Sequence, residues 1–573
     1  MRTFRPFRDV DVPTLRRAIT TFRPALKGQG SAVAGAVALT LGGTVLELLR
    51  PWPVQYLIDH VLIPGRYAVL PVALCCGAVL LLGLSIGQLV VARATLVARI
   101  ARKVATRVRK RLFRHLHRLA LPFHHSQRTG DLIVRLMGDV DLVRDLLFAS
   151  WITMLGRGVV MVGAVGVMFW LDPLLAGLAL LPLPLLVLGI RRSSRRLTGV
   201  TRKQRRKQGD AAAYAAETLR QIRLVKAYAA EDRATRVFAD RTRASERAGG
   251  KAARVAAGMT RVAEICTGAG LALVLFAGVQ RVQAGALSVG QLLVLLSYTR
   301  SLYKPVRKLA REGARLAKAT ACAGRVLEVL DLEPEDPELG RPVPRLRGAI
   351  DFCAVTFRYA AGQRALRGLT LHLDPGTLAV LSGPNGAGKS TVLGLLLRLF
   401  RPDEGEIRVD GLPIESLRLA EYRERIAYLP QGTLLFGATV RDNIAFGNPD
   451  ATDEEIERAA RLALAHDFVE GLSEGYDTVL GENGGTVSGG EAGRLMLARA
   501  AVRDANILLL DEPLAGLDPE ARAFVAPAIR RIAAGRTTLV VHHGPAGELD
   551  ADVHLHLEGG RLVGRDRVRQ ARA

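Results

Sequence analysis

Six long apolar stretches in the first half of this chain constrain its fold more than any other feature. They centre on Ser31–Leu49, Ala68–Val97, Leu146–Leu171, Pro173–Ile190, Ile265–Val279 and Leu287–Tyr298. A helix needs about 20 mostly apolar residues to cross a bilayer, so the last two must draw on their flanks. One such stretch suits the core of a water-soluble protein, but six do not. The chain has 573 residues, 23% of them charged, yet its mean hydropathy is +0.18. That length suits two or three domains, here divided between two solvents.

The loops between the stretches set the orientation. Arg102, Lys103, Arg107, Arg109, Lys110, Arg111 and Arg114 follow the second stretch, and Arg192, Arg195, Arg196, Arg202, Lys203, Arg205 and Arg206 follow the fourth. The alternate loops, Pro64–Arg66, Leu171–Pro173 and Gln280–Gly285, carry almost no basic residues. Basic loops stay in the cytoplasm, so both termini are expected there, in a multi-pass protein of the plasma membrane, the inner membrane of a bacterium. The formal net charge of +26 then reads as a surface facing anionic lipid. No aromatic interleaving or zinc-finger spacing accompanies it, so no nucleic-acid partner is expected.

Ala211–Ala230 contains neither Gly nor Pro, and helices two to five are expected to run well past the membrane. Val12–Leu26 is amphipathic and suits the cytoplasmic surface. Glu47, Arg261 and Glu264 are ionisable groups near the spans. Arg261 and Glu264 sit three apart on one helical face and can pair. Glu47 has Arg50 nearby, with contact to a transported molecule as the alternative. Cys75, Cys76, Cys266, Cys322 and Cys353 form no CxxC pair. They read as small hydrophobes, not ligands or a disulfide framework. The first thirty residues are Arg-rich without a continuous apolar core, so no cleavable signal peptide is expected.

A linker rich in Pro and acidic residues, Asp331–Pro344, precedes a different texture. Ile350, Phe352, Val355 and Phe357 alternate as in a strand, and Leu378–Ser382 reads as a buried strand. Gly383-Pro384-Asn385-Gly386-Ala387-Gly388-Lys389-Ser390-Thr391 follows, then a helix expected over Val392–Phe400. This is a P-loop in its required context. Its glycines let backbone N–H groups wrap phosphates, Lys389 is placed for the β- and γ-phosphates of ATP, and Ser390 for Mg²⁺. A second buried strand, Ile507–Leu510, ends in Asp511-Glu512. Asp511 is placed to hold Mg²⁺ through water, and Glu512 to polarise an attacking water.

Together these residues resemble the exporter type of ABC transporter, a half-transporter with its membrane domain first, over nearly the whole chain. The resemblance implies a membrane α-helical domain, six transmembrane helices with long cytoplasmic extensions, at residues 1–330. A linker at 331–347 and an α/β P-loop ATPase domain at 348–573 complete the chain. Tyr428-Leu429-Pro430-Gln431 resembles the Q-loop, with Gln431 near Mg²⁺. Val487-Ser488-Gly489-Gly490-Glu491 resembles the signature loop, usually Leu-Ser-Gly-Gly-Gln, so Ser488, Gly489 and Gly490 are expected to contact phosphate. Tyr359 falls where the family stacks an aromatic ring on adenine. Leu517-Asp518 matches the D-loop. His543 fits the switch histidine, with His542 its neighbouring competitor.

In this family two nucleotide domains dimerise head to tail, with ATP between the P-loop of one and the signature of the other. The resemblance therefore implies a partner half-transporter and an ATP hydrolase that exports a small molecule, lipid or peptide by alternating access. His124–Asp131 and Tyr214–Ile222 are expected as coupling segments. Glu491, Ala492-Gly493-Arg494 and Gly432 depart from the usual pattern and point toward a heterodimer with unequal sites; Glu512 points the other way. Competing readings are an importer of metal-chelate substrates, a soluble-type ATPase acting on nucleic acid, and a peptide exporter with a fused protease.

Overall fold

A computed structural model describes residues 12–65, 69–144, 151–359, 362–481, 486–515, 519–544 and 547–567. Leu517-Asp518, Arg66, Ala68, residues 146–150 and the Arg195 side chain lie outside the described residues. The chain divides into two compact units. One comprises Met1–His117 with Arg128–Leu332, the other Arg118–Gln127 with Glu333–Ala573.

The first unit is helical. Its elements are α1 (Val12–Phe22), α2 (Gly30–Leu49), α3 (Val69–His117), α5 (Trp151–Leu171), α6 (Pro173–Leu180), α7 (Leu183–Arg220), α8 (Glu231–Gln283) and α9 (Val289–Leu330), while α4 (Leu121–Ser126) groups with the second unit. In hydrocarbon only a helix or a closed barrel satisfies every backbone polar group, and these sequences carry the helical option. At 1.5 Å per residue, the 49 residues of α3 and the 53 of α8 extend about 74 and 80 Å, far beyond a hydrocarbon core of about 30 Å. The second and fifth spans therefore run well past the membrane as expected, whereas the third span's helix α5 has 21 residues and the fourth is interrupted between Leu180 of α6 and Leu183 of α7.

Among the described residues five helices are long and apolar enough to span: Gly30–Leu62, Val69–His117, Met154–Leu171, Pro173–Ile190 and Glu231–Gln283. The sixth expected stretch, Leu287–Tyr298, opens the 42-residue α9, and Val294, Leu295 and Tyr298 are buried with Met168 of α5, Leu175 of α6 and Val274 of α8. The ends of these helices are tied by polar contacts. Asp172, 1% exposed, caps α6 by accepting from Leu174 N and Leu175 N and pairs with Arg281 at 2.8 Å. Ser288 and Gln291 form a reciprocal capping box at the start of α9. The amphipathic stretch at the N-terminus is helical as α1, but Ala18 and Phe22 are fully buried by neighbouring helices.

The second unit is α/β. A four-stranded antiparallel sheet has the order β2 (Arg364–Leu373), β1 (Ile350–Arg358), β4 (Glu404–Val409), β5 (Leu412–Pro413). A six-stranded sheet has the order β10 (Arg561–Arg567), β9 (Val553–Glu558), β3 (Leu378–Ser382), β8 (Thr537–Val541), β7 (Ile507–Asp511), β6 (Ile426–Leu429). All its neighbours run parallel except β10. The central strands are buried on both faces, as a parallel sheet covered on both sides requires. The linker lies along this unit: Arg341 N donates to Ser416 O, and Val343 N to Glu421 Oε2.

Candidate functional site

In a parallel sheet, ligands bind beyond the carboxyl ends of the strands, and here those ends carry the chemistry. Leu381 of β3 is level with Val541 of β8, and Val541 with Asp511 of β7. The P-loop leaves β3, the acidic pair closes β7, and His542-His543 leave β8. The strand order therefore brings together residues about 120 to 160 positions apart in sequence.

The P-loop turns into α10 (Lys389–Leu396), which starts at Lys389 with its helix N-terminus facing the loop and ends short of the expected Phe400. It ends because Arg398 has φ +53°, which no helix continues. Two of the glycines are sterically required. A Cβ on Gly383, at φ +144°, would stand 2.1 Å from Leu557 O, and one on Gly388, at φ +104°, 2.6 Å from Ala365 O. Lys389 is 6% exposed, and its Nζ donates to Gly383 O at 2.8 Å and Pro384 O at 3.0 Å. Burial lowers its pKa, opposed by the charges of Glu512 and Asp511. The ammonium is thus held by the carbonyls of the loop itself, whose Asn385 and Gly386 carry backbone N–H groups while Pro384 has none.

Asp511 is 3% exposed. Burial pushes its carboxyl above the usual range, opposed by the hydroxyl of Ser390, which donates to it. Its Oδ1 has no hydrogen-bond partner among the described residues. A buried carboxylate oxygen without a donor, beside a hydroxyl at a helix N-terminus, is an all-oxygen set suited to Mg²⁺.

Glu512 has φ +54°, and its N donates to Val541 O. A non-Gly residue in that region costs about 1–2 kcal/mol and signals a functional constraint. Its Oε1 lies 3.1 Å from His543 Nε2. His542 turns the other way: it is 5% exposed, and its Nε2 meets Glu548 Oε2 at 2.7 Å. Of the two competing histidines, His543 is the one brought to the acidic pair.

Tyr359 places its hydroxyl 3.0 Å from Thr391 Oγ1, and its ring meets Phe400 edge-on at 5.4 Å. Phe400 in turn lies 6.1 Å from the ring of His125, on α4. The expected coupling segment His124–Asp131 is thereby divided, with its first part in the second unit and Arg128–Asp131 in the first. Gln431 lies two residues past Leu429, which is level with Leu510. Its side chain is exposed and makes no hydrogen bond among the described residues.

Ser488, Gly489 and Gly490 form the N-terminus of α11 (Gly489–Ala501). Glu491 Oε2 accepts from Ser488 N at 2.8 Å, and Ser488 Oγ accepts from Glu491 N at 3.3 Å. Glu491 therefore serves its own helix in a capping box. Arg494, also unlike the usual pattern, donates to Leu464 O and lies 4.7 Å over the Phe468 ring. This helix is packed into one core cluster with Leu495 and Leu497, while Val392 and Leu393 of α10 belong to another.

One cluster was not legible in sequence. Arg499 donates from Nε to Asn443 O, from Nη1 to Leu434 O and from Nη2 to Asn443 Oδ1, each at 2.8 Å. Asn443 Oδ1 also accepts from Phe436 N. The four residues fix the loop that leaves Gln431. Nothing in local pattern marks an arginine 56 residues from its partner.

Comparison with known proteins agrees with this layout. Residues 33–306 match the family described as ABC transporter transmembrane region, and residues 366–515 the family described as ABC transporter. The chain is 30% identical over 558 residues to an ATP-dependent lipid A-core flippase of Hahella chejuensis, covering 96% of this chain and 93% of that one. It is 32% identical over 459 residues to an ABC transporter ATP-binding protein of Bacillus subtilis, 80% of this chain and 76% of the relative. A solved bacterial Atm1-family ABC exporter with ATP bound is similar in structure, with a TM-score of 0.79 at 27% identity over 94% of this chain and 95% of that one.

Proposed function

The chain belongs to the ABC transporter family, an ATP-hydrolysing multi-pass half-transporter, and from that premise we propose how its own residues drive export. The membrane domain is residues 1–330, joined through 331–347 to the nucleotide domain at 348–573. Lys389 exchanges the carbonyls of Gly383 and Pro384 for phosphate oxygens of ATP, while backbone N–H groups from Asn385 to Ser390 hold the remaining oxygens. Tyr359 stacks on adenine, held in place by Thr391. Ser390, Asp511 and Gln431 hold Mg²⁺, which when bound neutralises phosphate charge. Glu512 accepts a proton from the attacking water, and His543 orients Glu512 and donates to the γ-phosphate.

Ser488, Gly489 and Gly490 act on the nucleotide of a partner, as does Asp518. The partner is a second copy of this chain. Glu512 is retained, and the capping by Glu491 leaves the signature loop's helix intact, so two like sites are complete. ATP closes the paired domains and turns the membrane cavity outward; hydrolysis resets it. The bacterial relatives support an inner-membrane location, with termini in the cytoplasm. The bacterial Atm1-family ABC exporter of similar structure and the lipid A-core flippase relative favour outward transport over uptake.

The observation that carries this reading is the convergence of Lys389, Ser390, Asp511, Glu512 and His543 at the carboxyl ends of the adjacent strands β3, β8 and β7. The test is ATP turnover by the purified full chain alone. Robust hydrolysis that Glu512→Gln abolishes supports a working homodimer. Hydrolysis that appears only with a second, different subunit overturns the homodimer, and activity insensitive to Glu512→Gln overturns the assignment of the base.

A further inference from the structure

The chain passes between its two units at three points: after His117, after Gln127 and after Leu332. On the membrane unit's side all three are pinned to one another. His115 Nε2 lies 2.9 Å from Val329 O, joining the first point to the third. Arg109 Nη2 donates to Asp141 Oδ1 at 2.8 Å, joining the first to the second. Arg325 joins the second to the third, donating from Nε to Asp139 Oδ2 at 2.9 Å and from Nη2 to Asp139 Oδ1 at 2.6 Å.

This last tie differs from the others in burial. The Asp139 side chain is 4% exposed, against 41% for Asp141. Asp139 closes a π-helical turn, Arg135–Asp139, a rare insertion that often marks functional sites. Arg135 Nη1 reaches from the same turn to Arg325 O at 3.4 Å, and Arg325 Nη2 also meets Cys322 Sγ at 3.1 Å. Val140 and Val143 after the turn, and Ala323 and Val326 beside Arg325, are all buried. A carboxylate in such surroundings is costly, and replacing a buried ion pair by apolar residues is often neutral or stabilising. Stability alone therefore does not account for the pair. Two parallel N–H···O bonds fix both distance and angle, which is what a joint between helices needs if they are to move together.

We propose that Asp139 and Arg325 are positioning residues that carry the state of the nucleotide into the membrane helices. The pair makes the segment leading into α5 and the end of α9 shift as one body when nucleotide binds, and α9 delivers that shift to its other end. There Tyr298 OH accepts from Trp52 Nε1 at 3.0 Å and donates to Leu48 O. Twenty-seven residues of one helix, about 40 Å, separate Tyr298 from Arg325. This role deepens the export reading and rests on it.

The three tryptophans, Trp52, Trp151 and Trp170, all lie in the membrane domain, and the rings of Trp52 and Trp170 are 6.1 Å apart. Intrinsic fluorescence therefore reports the membrane domain alone, while ATP binds the other. The test uses the full chain in phosphatidylcholine nanodiscs, with Mg-ATP trapped by vanadate and bound nucleotide counted by radiolabel. Wild-type emission is expected to change on trapping. D139V/R325M is expected to bind as much nucleotide, to hydrolyse ATP within about two-fold of wild type and to lose the emission change by about five-fold or more. Its melting temperature is expected to stay level or rise. R325K keeps the charge without the fork and is expected to fall between; it decides the question if the apolar pair does not assemble. A full emission change in either variant overturns the proposal. So does a loss of response matched by a loss of melting temperature, because the pair would then only hold the fold. Wild-type protein that binds nucleotide without an emission change overturns it as well. Wild-type protein that binds no nucleotide overturns the ATP-driven reading itself, and this role with it.

Discussion

His543 Nε2 lies 3.1 Å from Glu512 Oε1, while the adjacent His542 is turned into the protein against Glu548 at 2.7 Å. Two neighbouring histidines therefore carry different loads. His543→Ala removes the group that orients Glu512 and is expected to lower kcat by about 10²-fold or more with nucleotide binding retained. His542→Ala leaves Glu548 without its partner and is expected to cost about 1–3 kcal/mol of stability, with kcat per folded molecule little changed. ATP turnover alongside thermal melting of both variants separates the two. Equal kcat losses without a melting difference would contradict the assignment.

Glu491 stands where the family usually has glutamine, and its carboxylate bonds Ser488 N at 2.8 Å. Glutamine can make the same capping bond, but the charge has two opposed effects. It favours the helix N-terminus by about 0.3–1 kcal/mol, and it repels phosphate bound at the same turn. Glu491→Gln is therefore expected to lower melting slightly and to reduce the KM for ATP by a few-fold. Glu491→Ala loses the box and costs about 0.3–1.5 kcal/mol. A Glu491→Gln variant with a higher KM would show that the carboxylate assists the nucleotide.

Much of this architecture was legible in local pattern because its causes are local. The P-loop requires Gly383 and Gly388 by steric contact, and the membrane helices require length and apolarity. What escaped the sequence depends on side-chain pairing that no local pattern marks. The choice between His542 and His543 is made by Glu548 and Glu512, neither recognisable in advance as a partner. The Arg499–Asn443 contact spans 56 residues.

His372 bridges two carboxylates across β1 and β2, with Nδ1 2.6 Å from Asp351 and Nε2 3.0 Å from Asp374. Those hydrogen bonds raise its pKa above the ordinary 6.5. A raised histidine pKa stabilises the fold fully below the unfolded value and loses that contribution as pH rises through the folded value. The melting temperature is therefore expected to fall as pH increases from about 6 upward, and His372→Gln to flatten that slope. The side chain is 47% exposed, so solvent screens the pair and the effect is small. A steeper slope in the variant would reverse the assignment.

The alternation in β1 breaks where Ile350 and Phe352 give way to Val355 and Phe357, an odd step between even ones. The structure shows why. Ala354 sits at φ +51°, and the pairing register shifts between Phe352 and Val355, a bulge that keeps both apolar pairs in the core. The Ala354 side chain is exposed, so little packing is lost on removing it. The left-handed conformation costs alanine about 1–2 kcal/mol, and glycine's extra unfolded entropy returns about 0.5–1 kcal/mol of that. Ala354→Gly is thus expected to stabilise the protein by about 0.5 kcal/mol. Gly405 makes the opposing case, since a Cβ there, at φ +78°, would stand 2.4 Å from Cys353 O and 2.5 Å from Ala354 O. Gly405→Ala is expected to destabilise by more than Ala354→Gly stabilises, because backbone must shift to admit it. Thermal melting of the two variants checks both signs, and a destabilising Ala354→Gly would mean that the alanine methyl holds the bulge in register.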